Sequence, residues 1–213
     1  MEHAMDDKSK KTIADYVGDM VALESHVEEA LDRQRKMASE FGPAGRSVQQ
    51  FHDMVKRHRD ELRAYQDQIG STAGNPIKEA GSAVLGKAAG LIDKVRTEGV
   101  SKDLRDDYTA FNHCAISYAM LNVTALALGD QRTADLAKRN LTDYAGAAQE
   151  INQIIGEVVV WELKKDHHKI VDQQAASENR SMVDRAWRST APQAMPGAMG
   201  SVAGQESGAI SGV

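Results

Sequence analysis

Val17-Gly18-Asp19-Met20-Val21-Ala22-Leu23-Glu24-Ser25-His26-Val27-Glu28-Glu29-Ala30-Leu31, residues 17–31, decides how the rest of the chain is read. At about 100° per residue, Val17, Met20, Val21, Val27 and Leu31 fall on one stripe, and Glu24 projects from within it. No alternation of period two competes with this spacing. The stretch is therefore an amphipathic helix that carries a carboxylate into a core. Burying an unpaired carboxylate is costly, so Glu24 requires a partner: an imidazolium at His58, a tyrosine hydroxyl or a metal ion.

Working outward, the first helix runs from about Ser9 to Glu40 and stops at Phe41-Gly42-Pro43-Ala44-Gly45. A second, from near Ser47 to Gly70, aligns Val48, Phe51, Val55, Leu62, Tyr65 and Ile69, with His58 at the centre of the stripe and Glu61 at its flank. A third, Pro76 to Arg96, is rich in Ala and Gly and reads as a packed crossover. The fourth, from Ser101 or Lys102 to Gly129, places Leu104, Phe111, Cys114, Tyr118, Leu121 and Ala125 on one face. Ile116, Met120 and Val123 lie on another, beside His113, so this helix needs cover on both sides. The fifth covers about Arg132 to His168, with room to continue toward Trp187. Leu141, Tyr144, Ala148, Ile151, Ile155, Val158 and Val159 form its apolar face, and Asp143, Glu150 and Glu157, seven apart, read as a solvated row.

The fold expected is all-α: a four-helix bundle of two helical hairpins with an extra Ala/Gly-rich crossover helix. Residues 1–8 form an N-terminal arm, 9–176 the bundle and 177–190 a short helix. Residues 191–213, dominated by Gly, Ala, Ser, Met and Pro, form a flexible low-complexity tail. Its end, Ala209-Ile210-Ser211-Gly212-Val213, could dock in a partner's groove.

In 213 residues, 26 Lys and Arg stand against 31 Asp and Glu, a net charge of −5. No global positive field draws the chain to nucleic acid. With one cysteine, Cys114, there is neither an internal disulfide nor a thiol pair for zinc or redox work. The N-terminus from Met1 to Lys11 is charged, and no run of apolar residues is long enough to span a bilayer. A cytoplasmic protein with no membrane partner is expected.

Three segments together resemble the YciE/YciF-like branch of the ferritin-like superfamily. They are Ala22-Leu23-Glu24-Ser25-His26-Val27-Glu28-Glu29-Ala30-Leu31, His58-Arg59-Asp60-Glu61, and Asn112-His113-Cys114-Ala115-Ile116-Ser117-Tyr118 ahead of Leu126-Ala127-Leu128-Gly129. Leu104-Arg105-Asp106-Asp107-Tyr108 is similar to a signature within that branch. The resemblance spans about Asp15 to Trp161. It implies a four-helix bundle, commonly a homodimer or higher homo-oligomer, associated with bacterial stress responses, whose metal-binding relatives hold two irons. Carried over residue by residue, it assigns Glu24 to the first-helix carboxylate and His58 and Glu61 to the second helix. Half of the cage has no counterpart. Ala115 stands where relatives carry an acid, the acidic run of the fifth helix is reduced to Asp143 before Tyr144, and neither helix holds Glu-x-x-His. His58 also precedes Glu61, the reverse of that order. A di-iron centre needs about six convergent donors.

Other constellations are weaker. His167 and His168 diverge by roughly 100° on a helix and read as surface residues. The glycines from Gly81 to Gly90 lack a phosphate-loop ending. Cys114, on an apolar face, reads as an inert core thiol. Three functions remain open: a stress-associated bundle with a degenerate metal centre and no cofactor, acting as a structural or interaction protein; an iron- or manganese-binding oxidase or storage protein using Glu24, His58 and Glu61; and an adaptor docking through residues 191–213.

Overall fold

A computed structural model describes residues 5–36, 40–72 and 99–189. It contains α1 (Asp7–Lys36), a 3-10 turn (Gly42–Ala44), α2 (Gly45–Thr72), α3 (Val100–Leu128), α4 (Gln131–Lys165) and α5 (Ala175–Ser189). There is no strand among the described residues. The fold is an all-α bundle. α1 packs chiefly on α2 and α3 on α4, giving two antiparallel hairpins, and the hairpins meet along α1 with α3 and α2 with α4. The expected crossover over 76–96, the first half of the N-terminal arm (1–4) and the tail over 191–213 lie outside the described residues.

Each helix turns its apolar stripe inward. Val17, Met20, Val27 and Leu31 of α1 meet Val48, Phe51, Val55 and Leu62 of α2, and all of them are buried. On α3, Leu104, Phe111, Cys114, Tyr118, Leu121 and Ala125 are fully buried. Phe51 and Phe111 meet edge to face, with centroids 5.1 Å apart, and so join the two hairpins. Chain reversals are defined by local chemistry. Gly129 takes the left-handed conformation, φ 79°, that closes α3. Asp130 then caps α4 by accepting from the Thr133 amide at 3.0 Å. At the first reversal Gly42 has φ 50°, and a Cβ there would overlap the Trp161 indole. Only glycine fits that turn without displacing the ring.

Several expectations are corrected. The fifth predicted helix does not run to His168: α4 stops at Lys165, and His167 reverses the chain with φ 62°. The His168 amide bonds back to the Leu163 carbonyl at 2.9 Å, completing the stop. Nor does that helix continue to Trp187. A separate α5 folds back onto α4, with Ala176 against Gly156 and Arg180 paired to Glu157 at 2.7 Å. Glu157 is therefore half of an ion pair rather than merely solvated. Val159, expected on the apolar face, is 40% exposed. On the second face of α3, Ile116, Met120, Val123 and Leu126 are all exposed.

Candidate functional site

α1 delivers Glu24 to the middle of the bundle, where it is completely buried. Tyr118 of α3 donates its hydroxyl to Glu24 Oε1, and Tyr144 of α4 donates to Oε2. Behind Tyr118, Asn140 Nδ2 donates to the phenol oxygen at 3.0 Å. From α2, His58 enters with its ring 5.3 Å, centroid to centroid, from that of Tyr144. His58 Nδ1 lies 3.5 Å from Glu24 Oε1 and has no hydrogen-bond partner. Its Nε2 is 2.9 Å from Asp143 Oδ2, which also accepts from Arg57 at 2.8 Å. Each of α1 to α4 thus contributes polar groups, and the chain of contacts runs from the sealed core to the surface.

Hydroxyl donors to a carboxylate form charge-assisted hydrogen bonds, which compensate for the water lost on burial. Burial pushes the Tyr118 and Tyr144 phenols well above their ordinary range, and the nearby Glu24 charge adds to it. Both stay neutral donors. The Cys114 thiol is pushed up by burial and by Glu24 in the same way, which keeps it an unreactive thiol. At the rim, burial works against ionisation of Asp143, but the bonds from His58 and Arg57 outweigh it and hold the carboxyl below its ordinary value.

Of the three residues singled out from the sequence, Glu24 and His58 are brought together and Glu61 is not. Three steps along α2 from His58, Glu61 is turned about 60° around the helix. It is exposed, with Oε2 3.8 Å from Arg139, in an open surface cleft that also takes in Arg57, Lys138 and Asp143. Asp143, read from its spacing as solvated, is instead the group that His58 reaches. Tyr118, Tyr144 and Asn140 were not singled out as site residues. Their signal was present: both phenols lie on buried stripes, and a phenol in a core needs a partner for its hydroxyl.

Among the described residues, no group of three or more His, Cys, Asp or Glu side chains is placed to hold a metal ion. The donor chemistry around Glu24 points the same way. Both of its oxygens accept from hydroxyls, Asn140 faces a phenol, and His58 Nε2 is engaged with Asp143. These residues do not fit a two-metal cage of about six convergent donors. A second buried histidine, His52, lies 3.8 Å from Asp32 and 4.0 Å from Glu28. Those carboxylates already pair with Arg35 and Lys36 and with Arg59, respectively.

A family profile described as a domain of unknown function, DUF892, matches residues 9–164. The chain belongs to the DUF892 family. That family is ferritin-like in type, in keeping with the hairpin pairing of this DUF892 chain. Among solved structures, it is similar to a protein from Xanthomonas campestris pv. campestris at 18% identity and a TM-score of 0.58, over 75% of this chain and 99% of that one. At that identity the likeness is one of fold. No curated protein matches.

Proposed function

We propose that this chain is a stress-associated ferritin-like bundle of the YciE/YciF type with a degenerate metal centre, acting in the cytoplasm as a structural or interaction protein rather than as an oxidase. The observation that carries this reading is the occupation of both Glu24 oxygens by the Tyr118 and Tyr144 hydroxyls. A carboxylate so engaged is a structural acceptor. The open apolar strip of Ile116, Met120, Val123 and Leu126 on α3 supports the interaction half of the proposal, with a second copy of the chain as the occupant.

The competing reading, iron or manganese held at Glu24 and His58, is favoured by one atom: His58 Nδ1, buried beside Glu24 without a partner. Metal analysis of protein purified without chelator separates the two. Iron and manganese well below one ion per chain, and a melting temperature unmoved by added iron(II), are expected. Near-stoichiometric metal that Glu24→Gln abolishes would establish the competing reading instead.

A further inference from the structure

A second carboxyl is buried where the hairpins meet, near the start of α3. Asp107 is 5% exposed, and Gln34, which reaches it from α1, is 6% exposed. Gln34 Nε2 donates to Asp107 Oδ1 at 2.9 Å. The remaining atom of each group, Asp107 Oδ2 and Gln34 Oε1, is buried with no hydrogen-bond partner among the described residues. Both orphans are acceptors, and they belong to the two side chains that already share one bond.

Among the described residues, the charges acting on Asp107 are Asp103 and Asp106 of its own helix. Glu162, on α4, acts on Asp103 and accepts from the Ser101 amide at 3.0 Å. From α1 comes the neutral Gln34, while its neighbours Arg33 and Arg35 bond to Glu29 and Asp32. The charges that act on this carboxyl are all negative, so an ionised Asp107 would be repelled and would leave two buried acceptors unpaired.

We propose that Asp107 is held as the neutral acid, its Oδ2 hydroxyl donating to Gln34 Oε1, so that a reciprocal acid–amide pair latches α1 to α3 and opens when the proton leaves to solvent. A single proton supplies the donor that both orphan atoms lack. Burial is the largest influence on this carboxyl: it outweighs the lowering by the Gln34 bond and, with smaller contributions from Asp103 and Asp106, lifts its pKa to about 8. Burial first, then Asp106 and Glu162, lifts Asp103 to about 6. Because the folded chain keeps a proton that the unfolded chain gives up near 3.8, the stability contributed by the latch is greatest at low pH. It declines as pH rises toward about 8 and levels off beyond.

The test is a carbon-13 NMR titration of aspartate carboxyls in the full chain, assigned with Asp107→Asn, alongside urea denaturation of both proteins from pH 5 to 9. The side-chain amide introduced by Asp107→Asn can rebuild the reciprocal pair but cannot titrate. The Asp107 carboxyl should titrate near 8, and the wild-type denaturation midpoint should fall with pH more steeply than that of the variant. Titration near 3.8, or equal pH dependence of the two proteins, would overturn the latch. So would magnesium or calcium raising the wild-type midpoint at pH 7 without raising the variant's, since the missing positive charge would then be a metal. Should Asp107→Asn fail to fold, Gln34→Glu assigns the resonance by its shift, and the wild-type titration decides.

Discussion

Glu24 and Asp107 are both carboxyl groups buried between the hairpins, yet their surroundings oppose one another. Glu24 is given a hydroxyl donor for each oxygen, from α3 and from α4. Asp107 is given one amide donor for two oxygens, and carboxylates for neighbours. Burial alone does not set the state of an acid in a core; the count and sign of the donors around it do. With two donors, Glu24 acts as a tie that draws three helices together. With one, Asp107 satisfies its second oxygen only by carrying its own proton.

Removing Glu24 tests the first half of this contrast most severely. Glu24→Ala leaves the Tyr118 and Tyr144 hydroxyls buried without an acceptor and opens a cavity beside them, at a cost of about 4 kcal/mol. Urea denaturation at neutral pH measures it. Glu24→Gln keeps the shape and one acceptor oxygen, so its cost should be well under half of that. If the two substitutions cost the same, the hydroxyl bonds are not what holds Glu24 in place.

The pH response of Asp107 comes next in size. In the window between its unfolded and folded pKa values, each pH unit removes up to about 1.4 kcal/mol of stability. Over the neutral range as a whole a loss of about 3 kcal/mol is expected, seen as a falling denaturation midpoint that Asp107→Asn flattens. Here the sign is decisive. A carboxyl bonded only as an anion, with a folded pKa below 3.8, would add stability only in the acid range and leave the neutral range flat, so a midpoint that does not fall between pH 5 and 9 would place Asp107 with Asp143 instead.

What the sequence revealed divides along the same line. Stripes of 3.6-residue period place Glu24 and His58 in the core, because periodicity is a property of one helix at a time. Which hydroxyl meets Glu24 depends on the axial offset of the two hairpins, and no single-helix pattern contains that quantity. Tyr118 and Tyr144 could therefore be assigned to buried faces but not to each other. Asp107 was legible in principle: it lies four residues before Phe111 and seven before Cys114, on the buried stripe of α3. In the sequence it is read only as part of Leu104-Arg105-Asp106-Asp107-Tyr108, a resemblance that does not use its place on the stripe. The end of α4 was hidden for a different reason. Asp166-His167-His168 contains neither Gly nor Pro, and the reversal is made by a histidine at φ 62°, a conformation that few side chains adopt.

Converting one carboxyl's surroundings toward the other's sharpens the comparison at a smaller scale. Tyr144→Phe removes one donor from Glu24 and leaves it, like Asp107, with a single one, at a cost of about 2 kcal/mol. The difference from Asp107 is that no second carboxylate adjoins Glu24 among the groups described. The loss should appear as a lower urea denaturation midpoint at neutral pH with the helical content unchanged. A midpoint equal to that of the wild type would show that the Tyr144 hydroxyl is not what satisfies the second Glu24 oxygen.

Least costly of all should be Ile116→Lys together with Val123→Lys, on the open face of α3, away from both carboxyls. Each side chain is more than half exposed, so stability should change by no more than about 0.5 kcal/mol per site. If a second copy covers this strip, the pair of lysines places like charges in an apolar contact, and light scattering should register a fall from dimer to monomer mass with the helical content unchanged. The hairpin seam would then still report the pH response of Asp107, because the latch lies within one chain and does not depend on its neighbour. Loss of the pH response in the monomer would instead tie the latch to assembly and make the two carboxyls differ by quaternary contact rather than by their own donors.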